Sequence, residues 1–68
     1  MNWDKAASYL ENYIVRASSD IGGHSRSYAL ADNPRDREFY ADIIQRTRTL
    51  SETASMLAGA IRAGIKNN

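Results

Sequence analysis

The amino-acid sequence predicts an all-α fold, an antiparallel two-helix hairpin that assembles as a homodimeric four-helix bundle. Apolar residues recur three and four positions apart in both halves of the chain, which is the spacing of one helix face. A helix-start signal, Asn33-Pro34, lies at the middle of the 68 residues. The chain also has more apolar residues than one hairpin can cover, so we expect it to associate with a second copy.

The first helix is predicted over about residues 3–20. Asn2 is a suitable N-cap, and Asp4 falls in the first turn, where the helix dipole favours negative charge. The residues of the apolar stripe share three-four spacing and are Trp3, Ala7, Leu10, Ile14, Ala17 and Ile21.

Residues 21–33 are the ambiguous segment. The adjacent glycines Gly22-Gly23 cost about 2 kcal/mol in a helix interior relative to alanines, which favours a kink or loop. The apolar spacing nevertheless continues in phase, and this also allows one helix over about 3–31 with a tight turn at Asp32-Asn33. The residues that keep the phase are Ile21, His24, Tyr28 and Ala31. We predict a kink or loop over about 21–33, with helix resuming over about 25–31.

The second helix is predicted over about residues 34–66. Asn33 is a favourable cap, and proline is favoured at the first helical position because its missing N–H has no partner there. The predicted apolar stripe consists of Tyr40, Ile43, Thr47, Leu50, Ala54, Leu57, Ile61 and Gly64. Further apolar residues widen this stripe into a face that suits burial against more than one helix, namely Phe39, Ile44, Ala58, Ala60 and Ile65.

Chain reversal at Asn33 places Trp3 opposite a cluster of small residues near the end of the second helix. This cluster consists of Gly59, Ala60, Ala63 and Gly64. A bulky side chain facing small ones gives the volume match that close helix packing needs. We therefore expect Trp3 to pack in the core at the open end of the hairpin.

Charge and targeting signals exclude several classes of partner. Nine basic residues face eight acidic ones, so a net charge of +1 provides no overall field to attract nucleic acid or an anionic membrane. No helix-turn-helix pattern with a basic recognition helix is present. The N-terminus has no apolar signal segment, and no stretch reaches the roughly 20 apolar residues that cross a bilayer. We expect a cytoplasmic protein that binds neither DNA nor membranes.

The sequence indicates no catalytic or metal site. The chain has no cysteine and one histidine, which excludes thiolate zinc sites and thiol catalysis. Serines and Asp20 lie near His24 in sequence, but a catalytic triad is defined by geometry and no nucleophile, base and orienting group can be assembled. We predict a non-enzymatic protein that needs no cofactor.

Two binding hypotheses remain. In the first, the chain is a small helical accessory or inhibitor protein, of the kind that phages and other mobile elements carry. It would present a helical surface to a larger protein partner. The interface candidates are apolar or aromatic residues at or beside the stripes, namely Tyr9, Tyr13, Phe39, Tyr40 and Ile44. Tyrosine suits such a position because it tolerates one solvated end.

In the second hypothesis, the oligomer binds an anionic small molecule such as a nucleotide. The site would lie where the two helices connect, and its residues would be His24, Arg26, Arg35 and Arg37. Arginine forms planar bidentate contacts with phosphate, and the free N–H groups at the start of the second helix also attract anions.

Overall fold

The computed structural model describes residues 1–67, and these form two α-helices joined by a short turn. Helix α1 spans Trp3–Leu30 and helix α2 spans Pro34–Asn67. The two helices pack against each other as a hairpin, which confirms the all-α prediction. The hairpin is 53 Å long and 16 by 14 Å across. Its length is close to the roughly 51 Å that 34 residues span at a rise of about 1.5 Å each.

The predicted kink or loop over residues 21–33 is wrong for residues 21–30, because α1 continues through Gly22 and Gly23 to Leu30. The structure agrees with the alternative, one continuous helix followed by a tight turn at Asp32-Asn33. Neither glycine has a positive φ, so the backbone at both positions is ordinary helix. The neighbouring residues Ile21 and His24 are half-buried, and they keep the packed side of α1 in phase with α2. Tertiary packing along this side outweighs the low helix propensity of the two glycines.

The turn between the helices is held by side chains on both of its ends. Asn33 Oδ1 accepts a hydrogen bond from the backbone N–H of Asp36 at 2.9 Å, and Asn33 Nδ2 donates to Asp36 Oδ2 at 2.9 Å. Pro34 occupies the first helical position, as predicted. Arg37 Nε donates to the carbonyl oxygen of Ala31 at 3.1 Å, which satisfies a free acceptor at the end of α1.

Small residues lie at the centre of the contact between the helices. Among residues 1–66 the fully buried hydrophobic residues are alanines, namely Ala7, Ala17, Ala54 and Ala58. Larger apolar residues beside them are half-buried, namely Leu10, Tyr13, Ile14, Ile21, Tyr40, Ile43, Ile44 and Ile61. No large side chain among residues 1–66 is fully buried. The interaxial distance of two packed helices depends on the side chains at the contact, and alanines there permit a close approach.

The stripe of α2 that packs on α1 agrees with the predicted one in part. Its buried and half-buried members are Tyr40, Ile43, Ile44, Thr47, Ser51, Ala54, Ala58 and Ile61, of which Tyr40, Ile43, Thr47, Ala54 and Ile61 belong to the predicted stripe. Leu50 and Leu57, which were predicted to face α1, are 57% and 52% exposed. Residues on either side of an apolar stripe also follow three-four spacing, so periodicity alone cannot define the limits of the packed side. The packed side of α2 is shifted toward Ser51 and Ala58, and the two leucines lie at one flank.

Trp3 does not pack in a core. Its side chain is 55% exposed and borders a groove that Ala60 and Gly64 also line, so its position near small residues is as predicted. A Cβ added at Gly59 or Gly64 would meet no atom within 4 Å, which shows that neither glycine is needed for a close approach.

Candidate interaction surface

Large apolar side chains lie mostly on the surface of the hairpin. The exposed ones are Met1, Trp3, Tyr9, Val15, Tyr28, Leu30, Phe39, Leu50, Met56, Leu57 and Ile65. Scattered apolar residues are ordinary on protein surfaces, whereas a continuous group marks a contact site. The distribution of these residues around the hairpin therefore shows which of them form a candidate contact site.

Two adjoining apolar grooves run between the helices on one flank. The first is lined by Tyr9, Leu10, Tyr13, Leu50, Thr53, Ala54 and Leu57. The second is lined by Trp3, Ala60, Ile61, Gly64 and Ile65. Leu57, Ile61 and Gly64 follow one another at spacings of four and three, which places both grooves along the same flank of α2. We call the residues that line these two grooves the Tyr–Leu face.

The Tyr–Leu face ends at charged residues on the side that is nearer to the turn between the helices. The next depression on the flank is lined by Arg16 and Asp20 together with Tyr9, Tyr13, Ala17 and Thr47. Arg46, four residues before Leu50, pairs with Asp42 through an Nη2–Oδ2 contact of 2.8 Å. The continuous apolar surface therefore covers the half of the hairpin that contains the two chain ends.

The opposite flank carries a polar cluster that joins the helices through Arg62. Arg62 Nη2 donates to Glu11 Oε1 at 2.8 Å and to Ser8 Oγ at 3.0 Å, and its Nη1 donates to Asp4 Oδ1. The hydrogen bond from Arg62 lowers the pKa of Glu11. Hydrogen bonds to Glu11 and then to Asp4 raise the pKa of Arg62. This cluster connects the first half of α1 to the last two turns of α2.

Sequence reasoning missed the Arg62 cluster, although two signals for it were present. Asp4 and Glu11 are seven residues apart, which places both carboxylates on one flank of α1. Arg62 interrupts the most apolar stretch of α2. A lone charge in such a stretch indicates a partner on the facing helix, and the hairpin register supplies that partner.

The predicted interface candidates fall into two groups. Tyr9 is 68% exposed and Tyr13 is half-buried, and both line the Tyr–Leu face. Phe39 lies near the turn, where its exposed ring packs edge-on against Tyr40 at a centroid distance of 5.3 Å. Tyr40 and Ile44 are half-buried on the packed side of α2. The structure adds residues to the candidate surface that the sequence assigned to the core, namely Trp3, Leu50 and Leu57.

The four residues of the anion-binding hypothesis do not share one face. His24 is half-buried and Arg26 is exposed two residues later on the same helix. Residues two apart in a helix point about 200° away from each other, and the same holds for Arg35 and Arg37. Arg37 is engaged in the contact with Ala31, and Arg35 borders a shallow depression that Glu38 and Asp42 also line. The structure therefore does not gather the four residues at one site within a single chain.

Comparison with known proteins gives no match to a protein family, a curated protein or a solved structure. Within residues 1–66 no group of three acidic, histidine or cysteine side chains is placed to hold a metal ion. Neither helix, over the part of the chain that the structure describes, has the length and apolar content that crossing a membrane requires.

Proposed function

We propose that the chain is a non-enzymatic helical interaction module. It self-associates as a homodimeric four-helix bundle and acts as an accessory or inhibitor protein on a larger protein partner. The observation that carries this proposal is the contrast between a core of four alanines and the large apolar side chains on the surface. A hairpin of this kind gains little from burial alone, so contact with another chain supplies the missing apolar burial.

The dimensions of the hairpin support self-association. The chain exposes 5321 Å², whereas a compact monomer of its mass exposes about 4,300 Å². Its radius of gyration is 15.5 Å, compared with about 11 Å for a compact domain of this length. The excess of about 1,000 Å² is close to the roughly 800 Å² that each partner buries in a standard interface.

Contact with a larger protein is supported by apolar residues away from the Tyr–Leu face. Val15 is 70% exposed and Met56 is 76% exposed, and neither lines the two apolar grooves. Both would stay exposed in a dimer formed through that face. They offer apolar anchor points to a partner that binds the outer sides of the helices.

Sedimentation velocity across a wide concentration range tests self-association. We expect a species of twice the 7.6 kDa chain mass at high concentration and dissociation on dilution. A monomer at every concentration would refute the dimer.

The larger partner is tested by a photo-crosslinking residue at Met56 in cells that produce the chain. We expect a discrete adduct heavier than the dimer, which mass spectrometry can identify. The matched control carries the same residue at Arg48, an exposed polar position of α2, and should give no such adduct. Equal adducts from both positions would indicate non-specific capture and contradict the proposal.

A further inference from the structure

We propose that the Tyr–Leu face is the surface through which two copies of this chain bind each other. The proposal rests on the self-association proposed above and assigns it to one flank of the hairpin. It excludes the flank that holds the Arg62 cluster, where charged side chains already pair with each other. It also excludes the outer sides of the helices, where polar residues lie three and four positions from the exposed apolar ones. Those around Val15 are Glu11, Asn12, Ser18 and Ser19, and Glu52 lies four positions before Met56.

The composition of the face favours a second copy over a charged partner. None of the residues lining its two grooves is charged. Two copies can therefore approach without repulsion between like charges, and a strongly basic or acidic partner finds no complementary group there. The hydroxyl groups of Tyr9 and Tyr13 can stay solvated at the rim while their rings are covered.

The shape of the Tyr–Leu face, with projecting and recessed residues, suits a contact between two copies related by a two-fold axis. Trp3, Leu50 and Leu57 project from it with more than half of each side chain exposed. Ala60 and Gly64 line a recess in the same face. A two-fold axis brings each copy's projecting residues against the other copy's face, so one surface can supply both the knobs and the holes. A dimer of this kind closes and leaves no further copy of the face exposed.

The main test compares Leu57→Asp with Met56→Asp. The two residues are adjacent in α2, and both are more than half exposed. Leucine and methionine have similar helix propensities, so the change to aspartate costs the helix a similar amount in both variants. Only Leu57 lines the Tyr–Leu face. We expect Leu57→Asp to raise the dimer dissociation constant by about 30-fold or more, as for an anchor residue at the centre of an interface. Met56→Asp should leave it nearly unchanged.

A second measurement applies even if Leu57→Asp fails to fold. The chain has no cysteine, so single variants Leu57→Cys and Met56→Cys each carry one thiol. We expect a bulky maleimide to label Leu57→Cys more slowly as protein concentration rises, because the second copy covers that position. Met56→Cys should be labelled at the same rate at every concentration.

The outcomes distinguish the proposal that the Tyr–Leu face forms the dimer contact from the more general proposal that the chain self-associates. A dimer that Met56→Asp dissociates while Leu57→Asp does not, or a Leu57→Cys thiol that stays equally reactive in the dimer, would overturn the assignment to the Tyr–Leu face and leave self-association intact. A wild-type chain that is monomeric at every concentration would overturn both.

Discussion

At the scale of single residues, Arg62 makes the most specific contact between the two helices. Its guanidinium group joins two carboxylates and a hydroxyl of α1, and the pair with Glu11 engages both carboxylate oxygens. Planar pairing of this kind fixes relative orientation in a way that a lysine cannot. Because the cluster ties one position of α2 to three residues of α1, it helps to fix the register of the two helices.

Arg62→Ala is expected to lower the melting temperature of the hairpin clearly, because three polar groups of α1 lose their common donor. The matched control is Arg46→Ala, which removes an exposed pair with Asp42 within one helix. Pairs of that type are worth only about 0.3–0.5 kcal/mol. Thermal unfolding followed by circular dichroism compares the two variants. Equal small shifts would show that the Arg62 cluster contributes no more than an ordinary surface pair.

The lowered pKa of Glu11 predicts a dependence of stability on pH. A carboxylate whose pKa is lower in the folded state stabilises the fold above its unfolded pKa, and that contribution is lost as the pH falls through the folded value. Glu11→Gln should therefore melt below the wild type at neutral pH, and the gap should close below pH 4.5, the ordinary value for this group. Glu52→Gln, which changes an exposed carboxylate of α2, is the control. A gap that persists unchanged in acid would contradict the role assigned to the Glu11 charge.

At the scale of elements, local signals predicted where the helices begin and most of the sides that they bury. The residues of the predicted α1 stripe that are buried or half-buried as expected are Ala7, Leu10, Ile14, Ala17 and Ile21. The Asn33-Pro34 start was recognisable because a cap and a first-turn proline depend only on neighbouring residues. The choice of which residues of α2 turn toward α1 depends on the facing helix, so local spacing could not show that Ser51 and Ala58 are packed while Leu50 and Leu57 are exposed. The exposed Tyr–Leu face follows from that choice, and for this reason the sequence recovered Tyr9 and Tyr13 but assigned Leu50 and Leu57 to the core.

Gly22→Ala and Gly23→Ala are each expected to stabilise the protein by about 1 kcal/mol, because alanine has the higher helix propensity and restricts the unfolded chain. A Cβ at either position would meet no atom within 4 Å, so no clash offsets the gain. Chemical denaturation at one protein concentration measures the change. Destabilisation by either substitution would indicate that a break in α1, rather than continuous helix, is the favoured structure at this point.

Asn33→Ala is expected to destabilise the protein by about 1 kcal/mol, the usual effect of removing an N-cap. The side chain of Asn33 both accepts from the backbone of Asp36 and donates to its carboxylate. Asn12→Ala is the control, since Asn12 is exposed within α1, where alanine improves helix propensity. If the two variants unfold at the same denaturant concentration, the cap at Asn33 does not stabilise the turn.

At the scale of the whole molecule, a long and thin hairpin with an alanine core should owe much of its stability to association. For a protein that folds and dimerises together, stability rises with concentration by about 1.4 kcal/mol for each tenfold increase. We expect the melting temperature of the wild type to rise with concentration and that of Leu57→Asp to be nearly independent of it. Met56→Asp should retain the wild-type dependence. A melting temperature that is independent of concentration in the wild type would mean that the four alanines and the Arg62 cluster hold the hairpin together without a second copy.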